Sequence, residues 1–212
     1  MLGNLQGAVL RFVALLPALT FHEFAHAYTA WRCGDPTPQM HGRVTLNPLA
    51  HLDPIGTLMI LFAPFGWAKP VPINPANFRH PSRDIIITSA AGPLANLVQG
   101  VFWGLVVRAV YTFSPGVLAG SSLVAQVLVM MILINFMLAA FNLIPLGPLD
   151  GHHILEYTLP YEAATRYREF NSQYGTVAMI VFVLVLFATP VGNVFFGLVM
   201  FLGSLAAGVR LG

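Results

Sequence analysis

The sequence predicts an all-α, polytopic helical membrane protein. It has about five transmembrane helices and a short re-entrant or β-hairpin segment between the first two. Three observations predict this. Hydrophobic residues fill 57% of the 212 positions and charged residues only 8%, against about 25% charged in ordinary soluble domains. Several apolar runs reach the roughly 20 residues that a span needs. Lys and Arg gather in alternate connections. So little charge cannot solvate an open chain, which excludes disorder. A net charge of +2 gives no electrostatic footprint for nucleic acid. The one cysteine, Cys33, excludes an internal disulfide and a multi-cysteine zinc site.

The first span covers about 5–31. It has no basic leader apart from Arg11 and no small-residue cleavage site, so it is expected to be retained and not removed as a signal peptide. The apolar stretch 55–67, bounded by Pro54, Pro70 and Pro72, is too short to cross and suits a re-entrant or interfacial segment. The second span covers 84–110 and the third 118–143. The run 176–208 would be about 50 Å long as one helix, against a hydrocarbon core of about 30 Å. The sequence Thr189-Pro190-Val191-Gly192-Asn193 divides it into two spans, a hairpin of about 174–210. Residues 1–212 are expected to form one domain, with a catalytic core at about 5–155.

Charge placement orients these spans. Arg32, Arg43, Lys69, Arg79 and Arg83 lie between spans one and two, Arg166 and Arg168 follow span three, and Arg210 follows span five. The connections near 113–119 and 190–193 carry no Lys or Arg. The positive-inside rule then puts the N-terminus outside and the C-terminus in the cytoplasm. Arg11 and Arg108 sit near outer span ends, where their long stems can snorkel outward.

Two carboxylates do not suit this setting. Glu23 falls within span one, and Asp150 closes the end of span three. A charge at the bilayer centre costs about 2.5–3.5 kcal/mol even on lenient scales, which marks both as functional candidates. Glu23 stands in Phe21-His22-Glu23-Phe24-Ala25-His26. His22 and His26 are four apart, so a helix sets both on one face within reach of one ion. The H-E-x-x-H spacing is that of helix-borne zinc sites with a glutamate base. A polar knot within a helix bundle is the plainer reading, and the cost of burying all three groups argues against it. Catalytic zinc usually takes three protein ligands. Asp150 ends Asn142-Leu143-Ile144-Pro145-Leu146-Gly147-Pro148-Leu149-Asp150, whose prolines and glycine break the helix and free the carboxylate to turn inward. His152 and His153 are rival third ligands, and an Asp-Gly turn is the plainer alternative for Asp150.

The pairing of this H-E-x-x-H helix with the later N-x-x-P-x-x-P-x-D-G stretch resembles the site-2 protease family of intramembrane zinc metalloproteases. The likeness is greatest to compact prokaryotic members that lack a PDZ domain. It runs over about 15–155 and includes Gly42-Arg43-Val44-Thr45-Leu46-Asn47-Pro48, Gly66-Trp67-Ala68-Lys69-Pro70-Val71-Pro72 and Ala91-Gly92-Pro93-Leu94-Ala95-Asn96. The resemblance implies His22, His26 and Asp150 as ligands of Zn2+ and Glu23 as the catalytic carboxylate. It implies membrane-protein substrates with a transmembrane segment, cleaved within the lipid bilayer. A homo-oligomer is compatible with it. Gly147 stands where some relatives have proline, which loosens the turn.

Further candidates serve that chemistry. Asn142 precedes Asp150 on the broken element and is a candidate oxyanion donor, with a helix–helix hydrogen bond as its other role. Gly92, Asn96, Gly100 and Gly104 recur every four residues as a packing stripe, and Asn96 is its polar member, a candidate to face the cleft. Val44 and Leu46 alternate with Thr45 as a candidate edge strand for an unwound substrate. His41, His51 and His80 are read as solvated or structural. A metal-binding transporter is the competing class, because intramembrane His and Glu also mark ion paths. No internal repeat of the transporter kind supports it. A catalytically inactive scaffold is the third reading, opposed by the intact His22, Glu23, His26 and Asp150.

Overall fold

Without water to bond its backbone, an apolar run in lipid must bond to itself, and a helix does this within one segment. The computed structural model describes residues 2–62, 66–118 and 122–211, and it bears out the all-helical expectation. Five helices are long and apolar enough to cross a membrane. These are α1 (Leu2–Arg32), α4 (Pro81–Phe113), α5 (Leu123–Asn142), α7 (Tyr161–Ala188) and α8 (Pro190–Ala207). Shorter helices lie between them: α2 (Thr37–Met40), α3 (Pro54–Phe62) and α6 (Asp150–Thr158). Large apolar side chains point outward along the long helices, among them Val98, Phe102, Leu105, Leu184, Phe187, Phe201 and Leu205. That is the surface a lipid-embedded bundle presents.

Local chemistry sets the helix ends. His80 precedes Pro81, which preforms the first turn of α4, and the Asp84 carboxylate accepts the His80 N–H at 2.9 Å. The Ser122 hydroxyl caps α5 by accepting the Ala125 N–H at 3.1 Å. Pro190 cannot continue α7 and forces Thr189 into extended backbone, so one residue separates α7 from α8. This turn is tighter than the five-residue interruption expected. α7 also starts earlier than the apolar run at 176. Its first turns carry Glu162, Arg166, Arg168 and Glu169 and are invisible to a hydropathy window.

The central helix is α4, which packs on α1, α5, α6 and α8. One apolar cluster joins Val107, Leu128, Ile132, Phe136 and Val199 across α4, α5 and α8. A smaller one joins Ala14 and Ala18 of α1 to Ile134 of α5. Gly104 faces Ala206, and the stem of Arg108 faces Gly208. Arg108 and the end of α8 therefore share one end of the bundle, although the charge count divides Arg108 and Arg210 between the two sides.

The segment between α1 and α4 departs from expectation. Among the described residues there is no strand. The nine-residue α3 is too short to cross, and the ends of its loop are joined by a single antiparallel bridge between Leu52 and Ala68. Val44 and Thr45 form bends, not an edge strand. The Thr45 hydroxyl accepts the Asn47 N–H, and the Thr45 carbonyl accepts from His51 Nε2, which curls the backbone. Gly42 supplies the positive φ of 64° that turns the chain into this loop. Asp35, fully buried at the end of α1, fastens the return path by accepting from Thr37, the Asn74 N–H and Asn77. Burial raises the Asp35 carboxyl, but these donors outweigh it and hold the group below the ordinary carboxylate range.

Candidate metal centre

His22 and His26 lie on one face of α1 and meet one face of α4. Thr88, Gly92 and Asn96 are spaced by four along α4, so they line that face. His26 Nδ1 lies 2.7 Å from the Thr88 carbonyl, and His22 Nδ1 lies 2.6 Å from Asn96 Oδ1. Gly92 stands between them, and a Cβ there would overlap Nε2 of both imidazoles. Pro93 removes the helix bond to the Ser89 carbonyl, beside the carbonyl that His26 uses.

The polarity of these bonds is determined. A carbonyl only accepts, so His26 donates its Nδ1–H to Thr88. Asn96 Nδ2 donates to the Ala18 carbonyl at 3.1 Å and to Asn135 Oδ1 at 2.9 Å, so its Oδ1 must accept from His22. Asn135 is anchored in turn to the Met131 carbonyl. Asn96 and Asn135 are both fully buried. Each imidazole donates from Nδ1, so in its neutral form it presents a lone pair at Nε2, the arrangement that orients a metal-ligating histidine.

The two Nε2 atoms are 3.0 Å apart. Asp150, at the first position of α6, closes the set, with Oδ1 3.2 Å from His26 Nε2 and Oδ2 3.3 Å from His22 Nε2. Oδ2 is buried and, although within ion-pair distance of His22, has no hydrogen-bond partner. With both imidazoles neutral, two Nε2 lone pairs and a carboxylate converge on one point, a set that a cation would complete. Ligand atoms of all three residues lie within 4.8 Å of one another. Two imidazole nitrogens and one carboxylate oxygen fit zinc with a fourth position open.

Glu23 is buried beside His22 on α1, with Oε2 3.9 Å from the guanidinium of Arg43. Arg43 is itself buried, donates to the Pro70 carbonyl at 2.9 Å and to the Lys69 carbonyl, and leaves Nε without a partner. His51 lies under it, with Nδ1 3.5 Å from the guanidinium. Burial pushes the His51 imidazole below its ordinary value. The Thr45 carbonyl pulls the other way and Arg43 adds to the lowering, which keeps the ring neutral. His51 is therefore structural, as read from the sequence, while His41 and His80 are exposed.

The structure thus brings His22, His26 and Asp150 together with Asn96 behind them. Asn96 accepts from His22 and donates to Ala18 and Asn135, so its carboxamide is spent on partners inside the bundle. Asn142 is not joined to the cluster by any described hydrogen bond, since its Nδ2 donates to the Leu138 carbonyl of its own helix at 2.9 Å. Asn135 and Arg43 escaped the sequence reading. An asparagine in an otherwise apolar helix was the available signal for the first, and for Arg43 the signal was its place in the Gly42–Pro48 stretch that carries the resemblance. His152 and His153 form a second group with Glu156, apart from the first.

A helical membrane bundle in which two histidines and an aspartate converge as a metal would require fits a class, the membrane metallohydrolases. The comparisons with known proteins narrow it. The model of peptidase family M50 matches residues 108–189, a stretch that includes Asp150. The Bacillus subtilis protein named "Putative zinc metalloprotease YwhC" is 41% identical over 182 residues, covering 85% of this chain and 81% of that protein. Two proteins named "Putative zinc metalloprotease Rip2" are each 32% identical. The one from Mycolicibacterium smegmatis is covered over 70% of its length by 89% of this chain, and the one from Mycobacterium tuberculosis over 71% by 90%. No solved structure matches the chain. The chain belongs to peptidase family M50, the site-2 proteases, and is a multi-pass membrane metalloprotease.

Proposed function

We propose that this chain is a zinc-dependent endopeptidase that cleaves peptide bonds in or near transmembrane segments, as in regulated intramembrane proteolysis. His22, His26 and Asp150 hold Zn2+, and Glu23 is the general base. The observation that carries the reading is the convergence of two Nε2 lone pairs and the Asp150 carboxylate, next to a buried glutamate. When bound, zinc supplies Lewis acidity, polarising a scissile carbonyl and lowering the pKa of a water. The rest of the chemistry belongs to the chain. Glu23 takes a proton from the attacking water and delivers it to the leaving amine as the C–N bond breaks. Arg43 holds the Glu23 carboxylate and ties it to the loop at Lys69 and Pro70. Asn96 and the Thr88 carbonyl keep both imidazoles in the ligating tautomer.

The setting selects the substrate. The site lies about 15 Å along α1 from Arg32, counting 1.5 Å per residue, and so within the bilayer. A transmembrane segment hides its peptide bonds in its own helix, so it must unwind locally to be cut. The placement of Lys and Arg supports an N-terminus outside and loops around Arg79 and Arg166 in the cytoplasm. It also favours a cytoplasmic C-terminus, against which the Arg108–Gly208 contact sets the end of α8 beside the outer end of α4. Residues 1–212 act as one domain. Metal analysis of purified protein tests the reading: the wild type should hold one zinc per chain, and His26→Ala and Asp150→Ala should lose most of it. Full occupancy in Asp150→Ala would remove Asp150 from the site and promote His152 or His153.

A further inference from the structure

Asp150 opens α6 directly after a loop that is held from outside the two motifs. Between α5 and α6, residues 143–149 carry turns with a few short-range main-chain bonds and no regular helix, so the approach of the chain to Asp150 is not fixed as a continuous helix would fix it. α7 supplies what is missing. The Gly147 N–H donates to Asn171 Oδ1 at 2.8 Å, and the Tyr167 hydroxyl donates to the Pro145 carbonyl at 2.8 Å. The same two side chains reach His152. Asn171 Nδ2 lies 3.3 Å from His152 Nε2, and the Tyr167 oxygen lies 3.2 Å from His152 Nδ1.

These contacts have one consistent polarity. Gly147 N–H only donates, so the Asn171 oxygen faces it and the Asn171 nitrogen donates to His152 Nε2. The Pro145 carbonyl only accepts, so the Tyr167 hydrogen goes there and its oxygen accepts from His152 Nδ1–H. Glu156 Oε2 also lies 3.3 Å from His152 Nε2 and receives no hydrogen from it in this arrangement. The slot is also shaped for this side chain, because a Cβ at Gly147 or at Gly175 would run into the Asn171 carboxamide. One carboxamide therefore grips the chain three residues before Asp150 and two residues after it. On the same side, Arg168 Nε donates to Glu156 Oε1 at 2.7 Å, which ties α7 to α6 at a further point.

We propose that Asn171 and Tyr167 are positioning residues for the metal ligand Asp150, so that α7, outside both motifs, sets the zinc affinity of the centre. The inference rests on the zinc reading above. Outer partners of metal ligands typically contribute about 10–100-fold in affinity.

The test uses the full chain in detergent, with zinc affinity measured by competition with a chromogenic chelator and melting temperature measured with and without zinc. Asn171→Leu keeps the branched shape and removes both hydrogen bonds, and Tyr167→Phe removes one oxygen. Asn171→Leu should bind zinc about 10–100-fold more weakly, Tyr167→Phe should weaken binding to a smaller extent, and the zinc-dependent rise in melting temperature should shrink in both. A role in packing alone would lower the melting of the metal-free and zinc-loaded forms equally and leave zinc affinity at the wild-type value, and that result overturns the inference. If Asn171→Leu does not fold, Tyr167→Phe decides by the same readout. A wild type that binds no zinc overturns the metal centre itself, whereas wild-type binding with unaffected variants overturns this inference alone.

Discussion

Replacing Gly92 by alanine adds one methyl group to the middle of α4. In a helix interior that exchange ordinarily stabilises by about 0.8–1.0 kcal/mol. Here the methyl would fall on His26 Nε2 and press on the His22 ring. The rings have no free retreat. Their Nδ1 atoms are bonded at 2.7 Å to the Thr88 carbonyl and at 2.6 Å to Asn96, both on the helix that carries the new methyl. One or both bonds must break. Each supporting bond is worth about 10–100-fold in metal affinity, so Gly92→Ala should weaken zinc binding by about 10-fold if one is lost and up to about 10⁴-fold if both are. Helix content should persist. The assay is zinc titration against a competing chelator, with far-UV circular dichroism to confirm the fold. Gly100→Ala is the control, because its Cβ would meet only the Phe136 ring, at 3.0–3.1 Å, away from the ligands. Wild-type zinc affinity in Gly92→Ala would show that the imidazoles do not stand against α4 and would refute the geometry.

Arg43→Gln should keep its zinc but turn over at least about 10-fold more slowly, because it removes the cation 3.9 Å from the buried Glu23 carboxylate and a loss of about 1.4 kcal/mol is already tenfold in rate; single-turnover kinetics with metal analysis checks both parts. Asp35 has a folded carboxyl below its unfolded value of about 3.9, so its stabilisation is complete above that value and is lost as pH falls through the folded one. The stability gap between wild type and Asp35→Asn should therefore narrow below about pH 4, read by thermal unfolding across pH steps. With Cys33 replaced, single cysteines at Arg79 and Arg166 should resist a membrane-impermeant thiol reagent in intact cells, while one at Ser114 should react. The charge count predicts that a cysteine at Arg210 is protected too, whereas labelling there would show that α8 follows the Arg108–Gly208 contact and ends outside.

The parts of this site that the sequence disclosed are those whose periodicity or cost gives them away. His22 and His26 repeat at a helical interval inside an apolar run, and Asp150 is a charge where charge is expensive. The supporting half was hidden for physical reasons. The partner of His26 is the backbone carbonyl of Thr88, and a backbone atom leaves no signature in residue identity. Arg43 lies in a polar loop, and its burial depends on the return of Lys69 and Pro70, which lie 26 and 27 positions further along the chain. The apolar stretch after Pro54 was open to either a helix or a hairpin, since a short apolar run has no decisive period. Asn171 sits among the ordinary polar residues that open α7. Only the fold shows that its carboxamide reaches Gly147 and His152.

Glu23 need not hold the metal, but it must move protons, and Glu23→Gln separates the two. The substitution keeps the size and a hydrogen-bonding head while removing the basic carboxylate. The decisive measurement is cleavage of single-span membrane substrates by purified wild type and Glu23→Gln, with zinc content determined on the same samples. The account predicts cleavage by the wild type, full zinc in both proteins, and a loss of rate of about 10²–10⁴-fold in the variant. Cleavage by zinc-loaded Glu23→Gln at the wild-type rate would contradict Glu23 as the base, and no cleavage by the zinc-loaded wild type of any substrate in the panel would contradict the protease reading itself.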